Sequence, residues 1–173
     1  MAVTALVIVA GVAGSGKTTV GEVLAAWLGW TFADSDSMHP ETNIAKMSRG
    51  VPLTDQDRMP WLRTIADWMD HRIANGEGAV LACSALKRRY RDELLAGRPA
   101  VRMAFIHVDE VVAARRLKAR HGHFFDADLL ASQFADLEPP GADEPSVVTV
   151  PARGRPEEIA EQIITVLALH GSV

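Results

Sequence analysis

Residues 3–10, V-T-A-L-V-I-V-A, form a near-continuous apolar and β-branched run that passes straight into Gly11-Val12-Ala13-Gly14-Ser15-Gly16-Lys17-Thr18. No other feature of the 173-residue chain limits its fold so tightly. A run of this kind fits a strand buried on both faces of a parallel sheet. Beyond it, Val20, Val23, Leu24, Trp27 and Leu28 recur at helical spacing, so the octet joins a strand to a helix. It matches G-x-x-x-x-G-K-[ST] in the setting that motif requires. Glycines let backbone N–H groups converge on phosphate oxygens, and the helix N-terminus adds partial positive charge. Lys17 is placed to reach the β- and γ-phosphates, and the Thr18 hydroxyl to bind the Mg²⁺ that bridges them. Such a loop reads a triphosphate, as in ATP, and not a base. A dinucleotide turn fits less well: Asp34 or Asp36 stands where a ribose-binding acid belongs, but Thr19 replaces the third small residue of G-x-G-x-x-G/A.

The alternation continues to the end of the chain. Strands are predicted at residues 30–33, 79–83, 101–108 and 146–150, and helices at 38–49, 58–74, 87–95, 110–119, 129–137 and 156–169. Trp61, Ile65, Trp68 and Met69 share one face of the longest helix, and Trp27, Trp61 and Trp68 are expected in the core. Pro156 stands where a helix's first turn tolerates proline. The pattern specifies an α/β fold, a parallel five-stranded sheet with helices on both faces, as one domain over residues 1–173. Ligands gather at the carboxyl ends of such strands, and the polar clusters follow Ala10, Ala33, Ala82 and Val108.

Composition narrows the partners. With 18 basic and 22 acidic residues the formal net charge is -4, so no overall basic field is available to nucleic acid or an anionic membrane. The single cysteine, Cys83, excludes an internal disulfide and a cysteine-based zinc site, and suits the cytoplasm. The apolar opening lacks a basic leader and is too short to span a bilayer, so neither export nor membrane insertion is expected.

The use of the triphosphate is read from what surrounds the loop. The third strand leads into Cys83-Ser84-Ala85-Leu86-Lys87 with no acid to support Mg²⁺, leaving Asp34 and Asp36 as the available carboxylates. One can assist the metal, directly or through water, and the other can accept a proton from an attacking hydroxyl. Arg116-Leu117-Lys118-Ala119-Arg120 runs into His121-Gly122-His123-Phe124-Phe125, a segment suited to closing over a nucleotide and bringing an arginine to the transferring phosphoryl group. A basic helix end stabilised by its dipole is the plainer account of the same residues. Arg58, Lys87, Arg88, Arg89 and Arg91 form a second basic group, either a solvated face or a hold for an anionic acceptor. His39 either anchors a substrate loop or packs beside Pro40. Cys83 is expected to pack and not to react, and His121-x-His123 without acidic or cysteine partners is poor evidence for zinc. Without N-K-x-D, a guanine-nucleotide switch is disfavoured.

The chain resembles the gluconate kinases of the shikimate-kinase-like P-loop group. The likeness rests on Gly11 to Thr18, Asp34-x-Asp36-x-x-His39-Pro40, Asn43-x-x-Lys46-Met47, Gly50-x-Pro52-Leu53, Asp55-x-Asp57-Arg58-x-Pro60-Trp61-Leu62, Cys83 to Lys87, Tyr90-Arg91-Asp92, Gly122-His123-Phe124 and Gln133-Phe134-x-x-Leu137-Glu138-Pro139. It spans nearly the whole chain. The resemblance implies a P-loop kinase fold with a mobile lid over about residues 120–138, and transfer of the γ-phosphoryl of ATP to the 6-hydroxyl of D-gluconate. It implies Lys17, Asp36 and Arg120 as catalytic residues, with Asp36 at the substrate hydroxyl. Residues Gly11 to Thr19, Arg116, Arg120 and Arg153 would hold the nucleotide, and Thr18 and Asp34 the Mg²⁺. His39, Arg58, Lys87, Arg91 and His123 would join Asp36 around the sugar acid. The family is often dimeric, and a homodimer is expected on that ground alone. Shikimate as acceptor is disfavoured because the third strand ends in Cys83-Ser84-Ala85 and not in glycines. The remaining alternatives are a kinase acting on a nucleotide and a nucleotide-dependent switch without an acceptor.

Overall fold

The computed structural model describes residues 4–169. The first strand, β1, is Leu6–Ala10, shorter than the apolar run that predicts it; Val3 lies outside the described residues. Helix α1 (Lys17–Leu28) follows the glycine loop, then β2 (Thr31–Asp34), a 3-10 turn at Ser35–Met38 and α2 (Glu41–Ser48). Next come α3 (Asp55–Ala74), β3 (Ala79–Ala82), α4 (Arg88–Leu95), β4 (Val101–His107) and α5 (Glu110–His121). A second 3-10 turn at Gly122–Phe124 leads to α6 (Ala127–Asp136), β5 (Val147–Pro151) and α7 (Pro156–Leu167).

The strands pair in the order β2-β3-β1-β4-β5, all parallel, so β1 lies at the centre with β3 and β4 on either side. Its side chains alternate between two cores. Val7 and Val9 face Val20, Leu24 and Leu28 of α1 and Ile159 and Ile163 of α7. Leu6, Ile8 and Ala10 face Leu62, Ile65 and Met69 of α3 and Leu94 of α4. Both faces are therefore sealed by helices, which accounts for the unbroken apolar run of β1.

Two expectations shift. Helix α3 begins three residues before the predicted start, because Thr54 and Asp57 form a reciprocal capping box ahead of Pro60. Trp27 is half exposed on α1, whereas Trp61 is buried in the core as expected. Among the described residues, no helix is long and apolar enough to cross a membrane.

Candidate active site

The glycine loop leaves β1 at the carboxyl edge of the sheet. The Gly11 N–H donates to the Ser84 carbonyl at 3.2 Å, tying the loop to the segment after β3. Gly14 has φ +80°, and a Cβ there would stand 2.8 Å from the Ala113 carbonyl oxygen, so α5 rests directly on the loop. Gly16 caps α1 with left-handed backbone and no side-chain cap, which leaves the first N–H groups of the helix for a ligand. The Lys17 ammonium lies 3.5 Å from the Val12 carbonyl. Burial lowers its pKa, and the negative charge of Asp36 opposes that shift. An anionic phosphate would supply the counter-charge that a buried cation requires.

β2 delivers the two aspartates. Asp34 caps the 3-10 turn by accepting the Asp36 N–H at 2.9 Å, while its other carboxylate oxygen lies 3.5 Å from the Thr18 hydroxyl. Asp36 is exposed. Partial loss of water around its carboxyl raises its pKa and the adjacent Asp34 raises it further, against the pull of Lys17 and His39. Two neighbouring carboxylates thus have different environments, the arrangement that separates a metal-side acid from a proton acceptor.

The His39 ring stacks on Trp61 with centroids 4.3 Å apart, and the Trp61 indole donates to the Ser35 carbonyl at 2.8 Å. Asn43 lies 3.2 Å from His39 Nδ1 and donates to the Asp57 carbonyl at 3.1 Å. Burial lowers the pKa of His39, and the nearby Arg58 lowers it further. Its ring packs on the α3 face and lies near Asp36.

Arg58 of α3 and Lys87, which caps α4, both approach the Tyr90 ring, at 5.6 and 5.8 Å from its centroid. Arg58 donates to the Tyr90 hydroxyl at 3.1 Å, and Lys87 donates to Asp55 at 3.0 Å. Arg89 joins Asp55 at 3.1 Å and Tyr90 also donates to it. These bonds, from Tyr90 and then Lys87, hold the Asp55 pKa at about 2.

Arg91 departs from its expected place at the sugar acid. It is fully buried, with Nε and Nη2 on the two Glu144 oxygens at 2.7 and 3.0 Å and Nη1 on the carbonyls of Ala85 and Leu86. Its donors are consumed in fixing the β3–α4 loop, so it is a structural residue behind the cleft. Cys83 packs as expected, with burial pushing its thiol up to about 11.

Arg116 donates to the Ala152 carbonyl at 2.8 Å and approaches the carbonyls of Gly14 and Ser15 at 3.4 Å. With Arg120, Lys17 and Thr18 it lines a cleft of about 280 Å³ beside the loop. Arg120 is exposed at this cleft, Arg153 is exposed in the loop between β5 and α7, and His123 is exposed in the second 3-10 turn. Two residues to which sequence reasoning assigned no role belong to this framework. Glu144 is the buried partner of Arg91, and Gln133 of α6 accepts the Ala13 N–H at 2.7 Å. Gln133 stands in a recognisable motif, whereas nothing in the sequence near Glu144 announces a buried acid.

A phosphate loop at the centre of a parallel sheet, a partly buried lysine within it and a neighbouring pair of aspartates define a P-loop kinase. A family model described as "AAA domain" matches residues 6–140. A gluconokinase of Gluconobacter oxydans (strain 621H) is 48% identical over 159 residues, covering 91% of this chain and 88% of its own. The chain belongs to the gluconokinase family. Among solved structures, a sugar kinase from Janibacter sp. HTCC2649 superposes with a TM-score of 0.86 at 45% identity, covering 95% of each chain. A gluconokinase from Sinorhizobium meliloti 1021 gives 0.84 at 41% identity, covering 97% of this chain and 94% of its own.

Proposed function

We propose that this chain transfers the γ-phosphoryl group of ATP to the 6-hydroxyl of D-gluconate, giving 6-phosphogluconate and ADP. The observation that carries this reading is the position of Asp36 between Lys17 of the phosphate loop and His39, whose other charged neighbour is Arg58. A hydroxyl at Asp36 has a phosphate site on one side and a basic acceptor site on the other.

Residues Gly11 to Thr19 cradle the phosphates, and Lys17 neutralises charge on the group in transit. Asp36 takes the 6-hydroxyl proton as the O6–phosphorus bond forms and the bond to the β,γ-bridging oxygen breaks, releasing ADP. The Thr18 hydroxyl and Asp34 carboxylate face each other beside the loop, an all-oxygen pair of the kind that suits Mg²⁺. Those two residues would hold the ion, which when bound supplies charge neutralisation to the polyphosphate. Arg58 and Lys87 hold the acceptor's carboxylate or hydroxyls, with His39 shaping the floor and His123 the roof. Arg120 meets the phosphates when the segment of about residues 120–138 closes, and Arg116 and Arg153 border the adenine. The chain acts as one kinase domain in the cytoplasm, with no nucleic-acid or membrane partner.

An assay coupling ADP release to gluconate, other sugar acids, shikimate and nucleoside monophosphates tests the proposal. ADP release that depends on gluconate and exceeds that with the other acceptors supports it. Equal turnover without any acceptor overturns it in favour of a nucleotide-dependent switch.

A further inference from the structure

We propose that Tyr90 is a positioning residue for acceptor specificity, holding the Arg58 guanidinium in place without neutralising it so that its charge is kept for the carboxylate of the sugar acid. This rests on the proposed gluconate reading of the site and adds to it a residue and a means of selection.

The geometry separates two kinds of cation. Lys87 and Arg89 are both paired with Asp55, at 3.0 and 3.1 Å. Arg58 forms no ion pair among the described residues, and its partner there is the Tyr90 hydroxyl at 3.1 Å. The phenol proton goes to Asp55, so the Tyr90 oxygen presents its lone pairs to Arg58. A carboxylate pulling on the O–H strengthens that oxygen as an acceptor, so Asp55 acts on Arg58 through a neutral relay. Burial and the bond to Asp55 both raise the Tyr90 pKa, which keeps the phenol protonated. The ring is nearly inaccessible in the α3–α4 core, and the Arg58 guanidinium carbon lies 5.6 Å from its centroid. Arg58 is therefore fixed by a hydrogen bond and a ring face, while one carboxylate serves the other two cations. Lys87 and Arg89 have a carboxylate partner in Asp55, whereas Arg58 has none among the described residues and so carries the positive surplus. An acceptor with a carboxylate gains from that surplus, and a neutral polyol does not.

Tyr90→Phe removes the hydroxyl and keeps the buried ring. The KM for gluconate is expected to rise roughly tenfold, the equivalent of one charge-assisted hydrogen bond, with kcat and the KM for ATP changing less than twofold. Binding lost equally from ground and transition states raises KM alone, whereas a general packing defect would lower kcat and melting temperature as well. The decisive measurement is a double-mutant cycle. Because Tyr90 acts through Arg58, Tyr90→Phe should add almost nothing to the KM effect of Arg58→Ala. Additive effects, or an unchanged gluconate KM in Tyr90→Phe, overturn the inference while gluconate-dependent turnover by the wild-type chain leaves the proposed function standing. Absence of gluconate-dependent turnover in the wild type removes both.

Discussion

Arg91 and Glu144 form a bidentate ion pair, at 2.7 and 3.0 Å, with both side chains almost wholly withdrawn from solvent. Removing one member of a buried pair strands the other charge, so Glu144→Ala should cost roughly 3–5 kcal/mol in urea unfolding. The bond to Arg91 lowers the Glu144 pKa, so the folded protein holds that proton more weakly than the unfolded chain. The stability this provides is complete above the ordinary carboxylate range and is lost as pH falls through and below it. An unfolding midpoint that Glu144→Ala leaves in place would refute the structural assignment.

Lys17→Ala should reduce phosphoryl transfer by roughly 10²- to 10³-fold, the usual cost of a lost donor at a developing negative charge. Folding should be retained, because the buried ammonium is held at a desolvation cost that lowers its pKa. Thermal melting beside the ADP-release assay checks both halves, and transfer at the wild-type rate would remove Lys17 from the phosphate site.

Asp36 is expected to give the pH–rate profile its acid limb. Its pKa is raised by loss of solvent and then by Asp34, so activity should fall with decreasing pH through a value above the ordinary carboxylate range. The stability effect has the opposite sense: the folded state binds the Asp36 proton more tightly than the unfolded chain, so ionisation destabilises as pH rises through that window. Asp36→Asn should therefore lower kcat by roughly 10²- to 10⁴-fold, abolish the acid limb and raise the melting temperature at neutral pH. A variant that keeps the limb would place the base elsewhere.

Gln133→Ala should weaken nucleotide binding. Its side chain accepts the Ala13 N–H at 2.7 Å and so sets the loop before any phosphate arrives. One hydrogen bond at about 1 kcal/mol corresponds to a rise of roughly fivefold in the KM for ATP, with the gluconate KM moving less. Equal shifts in both constants would point to general loosening of the sheet's carboxyl edge.

The unequal legibility of these residues has a physical cause. The β1–loop–α1 unit was readable because one short stretch carries a buried-strand run, glycines at left-handed positions and a helix face. The sequence pattern places the start of α3 at residue 58, although Thr54 and Asp57 spell a cap three residues earlier. In the sequence Arg91 belongs to a basic group with Arg58, Lys87, Arg88 and Arg89 and is expected at the sugar acid. Its burial beside Tyr90 and Leu94 on α4 depends on Glu144, a partner 53 residues away in a segment of no marked pattern. Asp34 and Asp36 were identifiable as a pair, but their different environments come from Thr18 on one side and from Lys17 and His39 on the other. Short-range patterns reveal elements and loops, whereas charge pairing between distant segments appears only once the chain is packed.

The contact between Gly14 and α5 has a mechanical corollary. Ala113 occupies the space a side chain at position 14 would fill, Arg116 is fastened to the backbone at Ala152, and Gln133 returns to the loop at Ala13. The arm that carries Arg120 is thus rooted at both ends on the turn that receives the nucleotide. Any swing of its tip would pivot between those roots, and a pull on the arm would be felt first by the backbone of the glycine loop.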